Sequence, residues 1–131
     1  MGVITLGAVD IVLWALQIVT GLLFVIFGYS HWLAYERTKA RVVWLAAIPP
    51  WAVPIVGILD LAGGIGMVLP AATHVAVWLT PLAAALSAAL MACAIVFHLI
   101  RREYRNIVLN AVLGILAAVV AYGRYVLAPF S

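Results

Sequence analysis

The stretch GILDLAGGIG, Gly57 to Gly66, places a single carboxylate, Asp60, in the middle of an apolar run from Trp51 to Leu69. A run of that length is close to the ~20 residues that cross a hydrocarbon core at ~1.5 Å per residue, so the surroundings of Asp60 are those of a bilayer. Three further runs have the same character: Ile11 to Trp32, Val75 to Ile100 and Ile107 to Leu127. Of 131 residues, 69% are hydrophobic and 8% charged, and the mean hydropathy of +1.28 lies outside the range of a soluble domain. The expectation is one integral membrane domain over residues 1–131: an all-α bundle of four transmembrane helices running up-down-up-down.

Little remains outside these runs: a polar loop from Ala34 to Pro50, a turn near Pro70 to Thr73, and a basic link from Arg101 to Asn106. That leaves no soluble catalytic domain and no nucleic-acid surface. Cys93, the single cysteine, has no internal disulfide partner and reads as a packing residue. No Lys or Arg precedes the first run, so the charged region of a signal peptide is missing and the run is expected to be retained. Arg37, Lys39 and Arg41 fall in the first loop and Arg101, Arg102 and Arg105 in the link, whereas Arg124 alone lies toward the other side. By the positive-inside rule, this is a multi-pass cell-membrane protein with both basic loops cytoplasmic and both termini outside. The net charge of +3 reflects that sorting and contact with anionic membrane lipids.

Prolines sharpen the helix ends. Pro54 falls in a first turn, where a missing N–H costs little, and Pro70 is expected to close the second helix after Leu69. For the third, either Thr73 caps a helix with a kink near Pro81, or Thr80 caps one whose first residue is Pro81.

Steps of three and four residues pick out one face of each helix. They collect Asp10, Trp14, Gln17, Gly21, Phe24, Gly28 and His31 on the first, and Gly57, Asp60, Gly64 and Met67 on the second. The third gives Thr80, Ala84, Ser87, Met91, Ala94 and His98, and the fourth Asn110, Gly114, Ala117, Ala121 and Arg124. Small residues let helices approach and polar ones need partners, so the four stripes should meet inside the bundle. Depth then sorts them. His31, His98 and Asn110 lie toward the basic loops with Asp60 near the midplane, whereas Asp10 and Arg124 share the opposite end, where they are expected to form a structural pair.

A carboxylate at mid-membrane costs about 3 kcal/mol on insertion scales, so Asp60 must be either protonated or held by a donor in a wet cavity. As a functional group it is a proton acceptor or ligand anchor. As a structural one it bonds across the bundle, for example to Gln17 or Ser87. His31 and His98 are candidates for moving protons or contacting a ligand, or else they bond to loop backbone, Glu36 or Glu103. No His/Cys/Glu spacing accompanies them, so neither a metal nor a haem is expected there. The candidate site is therefore Asp60, His31 and His98 for proton chemistry, with Gln17, Gly57, Gly64, Ser87, Met91 and Asn110 around the ligand.

GLLFVIFGYSHWL closing the first helix, GILDLAGGIGMVLP in the second, FHLIRR ending the third and NIVLNAVLGILAAV opening the fourth resemble the DoxX and DoxX-like family of small four-helix membrane proteins. In that family the second helix usually carries Glu after Gly, where this chain has Asp60, and the first often ends in Lys, where it has His31. The resemblance implies a membrane subunit delivering electrons to quinone, or a membrane partner in redox-stress complexes. Either role requires a soluble redox partner, because no haem-attachment motif, flavin fingerprint or cysteine pair is present. The leading reading is thus a subunit binding a quinone or similar lipophile. The alternatives are a membrane enzyme using Asp60 and a histidine as base and acid, a proton-coupled transporter, and a scaffold without ligand. A homo-oligomer is expected through the face of Ala85, Ala89 and Cys93.

Overall fold

The computed structural model describes residues 3–38, 40–41 and 47–130; Lys39 of the first basic loop lies outside them. Four long helices follow one another: α1 Val3–His31, α2 Val53–Thr73, α3 Leu79–Ile100 and α4 Tyr104–Tyr122. A π-helical turn, Gly123–Leu127, extends α4. No strand occurs among the described residues, and all four helices are long and apolar enough to cross a membrane. Their outward faces carry Ile11, Leu86 and Ile115, each more than 60% exposed, as lipid-facing surfaces do. Successive helices pack as neighbours in an up-down-up-down bundle, with α1 also touching α4 and its π-helical extension.

Glycines set the α1–α2 contact. A Cβ on Gly21 would lie 2.8 Å from the Gly64 carbonyl, and one on Gly28 would lie 2.7 Å from the Leu61 amide, so the two backbones touch at both levels. In lipid, where apolar side chains gain nothing from leaving water, such close approach is what holds helices together. The central layer is apolar: Phe24, Met67, Ala84, Ala117 and Val120 are at most 1% exposed. On every helix this layer falls between a polar position near the basic loops and one near the termini.

Several helix ends differ from the expectation. α1 begins at Val3 rather than Ile11, because VITLGAV contains no proline and Asp10 is accommodated by a partner. α2 runs past Pro70 to Thr73. Proline removes only its own N–H, which here costs one bond in the last turn, and Thr73 Oγ1 donates to the Leu69 carbonyl (2.8 Å) as the helix ends. α3 begins at Leu79 rather than Val75, with Trp78 at the N-cap and Pro81 in the first turn. Thr80 caps nothing; it is buried and its hydroxyl has no protein partner. His74 (φ 56°) and Ala76 (φ 50°) turn the chain between α2 and α3. α4 begins three residues before Ile107, at Tyr104.

Candidate functional site

Side chains of an α-helix lean toward its N-terminus. In the antiparallel pair α1 and α2, His31 therefore leans into the bundle and Asp60 leans toward the basic loops, and the two meet. His31 Nδ1 lies 3.2 Å from Asp60 Oδ2, with Asp60 3% and His31 9% exposed. This corrects the expected bond from Asp60 to Gln17 or Ser87. The other carboxylate oxygen, Oδ1, is buried and has no protein partner. Phe27 stacks on the His31 ring at 6.0 Å between centroids.

His98 is fixed from the link that follows α3. The Arg102 N–H donates to the Leu99 carbonyl (3.2 Å) and the Glu103 N–H to the His98 carbonyl (2.9 Å), a Schellman closure with Arg102 in the left-handed region at φ 58°. The closure folds Glu103 back over His98, placing Oε1 3.2 Å from Nδ1. Arg101 Nε donates to the same oxygen at 2.7 Å. Burial pushes the Glu103 carboxyl up, but the hydrogen bonds and charges of Arg101 and His98 together outweigh it and hold the pKa below the usual value.

Asp60, His31 and His98 line one cavity with Met91 and Asn110. A lobe of about 110 Å³ extends between α1 and α4 past Phe27 and Leu113. A second, of about 240 Å³, opens between α2 and α3 past Val56, Leu90 and Cys93. For scale, an apolar cavity of ~150 Å³ holds benzene. The walls are hydrocarbon and the few polar groups converge, which is how small-molecule sites are built.

The other residues expected around a ligand do not line this cavity, although Ser87 lines a neighbouring groove between α2 and α3. Gly57 and Gly64 form the α1–α2 seam, and Ser87 packs against Gly63. Gln17 belongs to a second cluster at the far end: its Nε2 donates to the Met67 carbonyl (2.9 Å) and its Oε1 accepts from Arg124 Nε (2.7 Å). Arg124 Nη1 donates to Asp10 Oδ1 (2.5 Å), and its side chain is wholly buried. Phe130 and Trp14, which meet edge to face at 5.9 Å, lie 4.3 and 5.5 Å from the guanidinium. The π-turn brings Arg124 there, closed by the Ala128 N–H on the Gly123 carbonyl (2.8 Å). Gly123 abuts Leu13, with no room for a Cβ.

Sequence reasoning missed Phe27, Leu113 and Phe130. Phe27 and Leu113 are each three residues from a stripe member (Phe24 and Asn110), a spacing that would have found them. For Phe130, beyond the last helix, no pattern was present. Among the described residues no group of three His, Cys, Asp or Glu side chains is placed to hold a metal.

No curated protein and no solved structure matches the chain. The model of the DoxX-like family matches residues 15–120, which includes Gln17, His31, Asp60, Met91, His98 and Asn110. With that much of its length matched, the chain belongs to the DoxX-like family.

Proposed function

We propose that this DoxX-like membrane protein binds a lipophilic ring compound of the quinone class in the cavity at Asp60, as the membrane subunit of a redox system. The observation that carries the reading is the half-satisfied carboxylate: Oδ2 is engaged by His31, whereas Oδ1 is buried in a cavity wall without a protein partner. A buried polar atom left unpaired costs about 1–3 kcal/mol, and a ligand that pairs it recovers that energy. A quinol O–H donates to ionised Oδ1, and a quinone carbonyl accepts from the protonated carboxyl, so both forms of the ring suit the site. His31 orients the Asp60 carboxyl through Oδ2. His98 lines the cavity and is joined to Glu103 at the basic face. The electrons are supplied by a soluble partner, since the sequence carries no electron-carrier motif.

The basic loops face the cytoplasm in this reading, the termini lie outside, and the chain self-associates in the membrane. A second reading rests on the same contact. A His–Asp pair in a cavity is a general acid–base unit, and a membrane enzyme would show turnover by the purified chain alone.

The test is to purify wild type and Asp60→Asn in mild detergent and compare organic extracts by mass spectrometry and absorption. A quinone-class lipid retained by wild type and lost from the variant is the expected result. Equal content in both, or none in either, contradicts retention of such a ligand at Asp60.

A further inference from the structure

Resting on the reading of Asp60 as a ligand anchor, we infer that the ligand of this cavity carries a long apolar tail, and that the groove between α2 and α3 holds it. The lobe that opens between these helices shares two wall residues, Leu90 and Cys93, with a groove of about 520 Å³ on the outer surface of the bundle. The groove continues from that opening toward the terminal end of the bundle as far as Leu79 on α3 and Gly66 on α2. At ~1.5 Å per residue, the fourteen positions from Cys93 to Leu79 span about 21 Å, the length of an extended hydrocarbon chain rather than of a ring.

Its form suits a flexible chain. Ala62, Gly63 and Gly66 on α2 and Ala83 and Ala89 on α3 form a low floor, and Leu59, Leu82 and Leu86 stand up along its sides. The floor is tight enough that a Cβ on Gly66 would lie 2.8 Å from that of Ala83. A comparison within the molecule separates this groove from ordinary lipid-facing relief. Another apolar groove, of about 450 Å³, runs between α3 and α4 past Trp78 and Tyr125, but it shares no wall residue with the cavity. Of these two grooves, the α2–α3 one adjoins the lobe that holds the unpartnered carboxylate. A ring seated at Asp60 and His31 therefore has an apolar exit into the bilayer and a bed along it. The ligand class is a ring with polar oxygens bearing an isoprenoid or acyl chain.

The experiment uses wild-type protein in lipid nanodiscs and a fully substituted benzohydroquinone, kept reduced so that its O–H can donate to Asp60 Oδ1 and Cys93 cannot add to the ring, with a ten-carbon tail ending in a diazirine. Photolysis followed by peptide mass spectrometry maps where the tail lies. The expected result is labelling concentrated on groove residues such as Ala62 and Leu86. That labelling should fall about tenfold in Asp60→Asn, the scale of one lost hydrogen bond from the ring O–H to a charged group, and toward background with excess tetramethyl-hydroquinone. The same tail without a ring should label all four helices evenly. The double variant Ala62→Phe/Ala89→Phe, which fills the groove without touching the cavity, should move the label elsewhere and leave ring competition intact. Labelling that the ring still competes for, but that is spread over other helix faces, overturns the tail groove and leaves the anchor standing. Labelling indifferent both to the competitor and to Asp60→Asn overturns the anchor itself. A groove never labelled, combined with a change in oligomeric mass in the double variant, overturns the tail groove and assigns that face to a second copy of the chain.

Discussion

At the terminal end of the bundle Arg124 donates from every nitrogen, to Gln17, to the Asp10 carboxylate and backbone and to the Ala128 carbonyl, with two aromatic rings against it. At the basic end Asp60 has one side-chain partner, His31, and an oxygen with none, beside open space. Both groups are nearly inaccessible, at 2% and 3% exposed, so burial does not separate them. Completeness does. A charge held by four hydrogen bonds within the protein serves the fold, whereas a carboxyl oxygen left without a protein partner next to a cavity carries a cost that only a bound molecule or water relieves.

The largest effect on stability is therefore expected at the complete cluster. Arg124→Met leaves Asp10 and Gln17 without their donor and should cost about 3 kcal/mol, the low end for breaking a buried pair because Asp10 is half exposed. The check is chemical unfolding in detergent, with Asp10→Asn as the milder companion. Next comes Gly64→Ala on the α1–α2 seam. Its new Cβ would lie 2.8 Å from Val25 Cγ2 and press on the Gly21 carbonyl, for a loss of about 1–3 kcal/mol in the same assay. A fall after Arg124→Met no larger than after Gly64→Ala would break the contrast between the two ends.

The link after α3 gives smaller effects that sharpen the contrast. Glu103 has its pKa lowered in the folded protein, so its bonds to Arg101 and His98 stabilise fully above the ordinary carboxylate range. That contribution is lost as pH falls through the lowered value. Unfolding measured from neutral to acid pH should show the loss in wild type, and Glu103→Gln should remove this part of the pH dependence. Smallest is Arg102→Gly. Arg102 holds φ 58°, a conformation that costs a non-glycine residue roughly 1 kcal/mol, so the variant should raise the melting temperature slightly.

Which face of each helix turns inward was legible in the sequence, because steps of three and four find a buried face whether the surroundings are water or lipid. Gln17, Phe24, Asp60, Met67, Ala84, His98, Ala117 and Arg124 all lie inside. The contact of Asp10 with Arg124 was also legible, since two opposite charges at one depth on inward stripes have few other partners. The bond between His31 and Asp60 was not. Residue counting set His31 at the end of α1 and Asp60 ~15 Å deep, and it overlooked that the two side chains lean toward each other. Gln17 was misassigned for a related reason: a stripe gives face and depth, but not which of three neighbouring helices supplies the partner. Pro70 misled because a proline in a last turn removes a bond that the helix can spare. The cavity itself left no local mark, being made where four helices diverge.

The most direct test of the contrast is the thermal shift produced by tetramethyl-hydroquinone, kept reduced in nanodiscs so that its O–H can donate to Asp60 Oδ1, measured on wild type and Asp60→Asn together. Without ligand the two should melt within about 1 kcal/mol of each other, because the substitution is close to isosteric and exchanges one unpartnered polar atom for another. With ligand at about a hundred times the wild-type Kd, wild type should gain about 2.7 kcal/mol and Asp60→Asn, binding about tenfold more weakly, only about 1.4 kcal/mol. Equal shifts in both proteins, or a collapse of Asp60→Asn before any ligand is added, would place Asp60 with Arg124 as part of the framework.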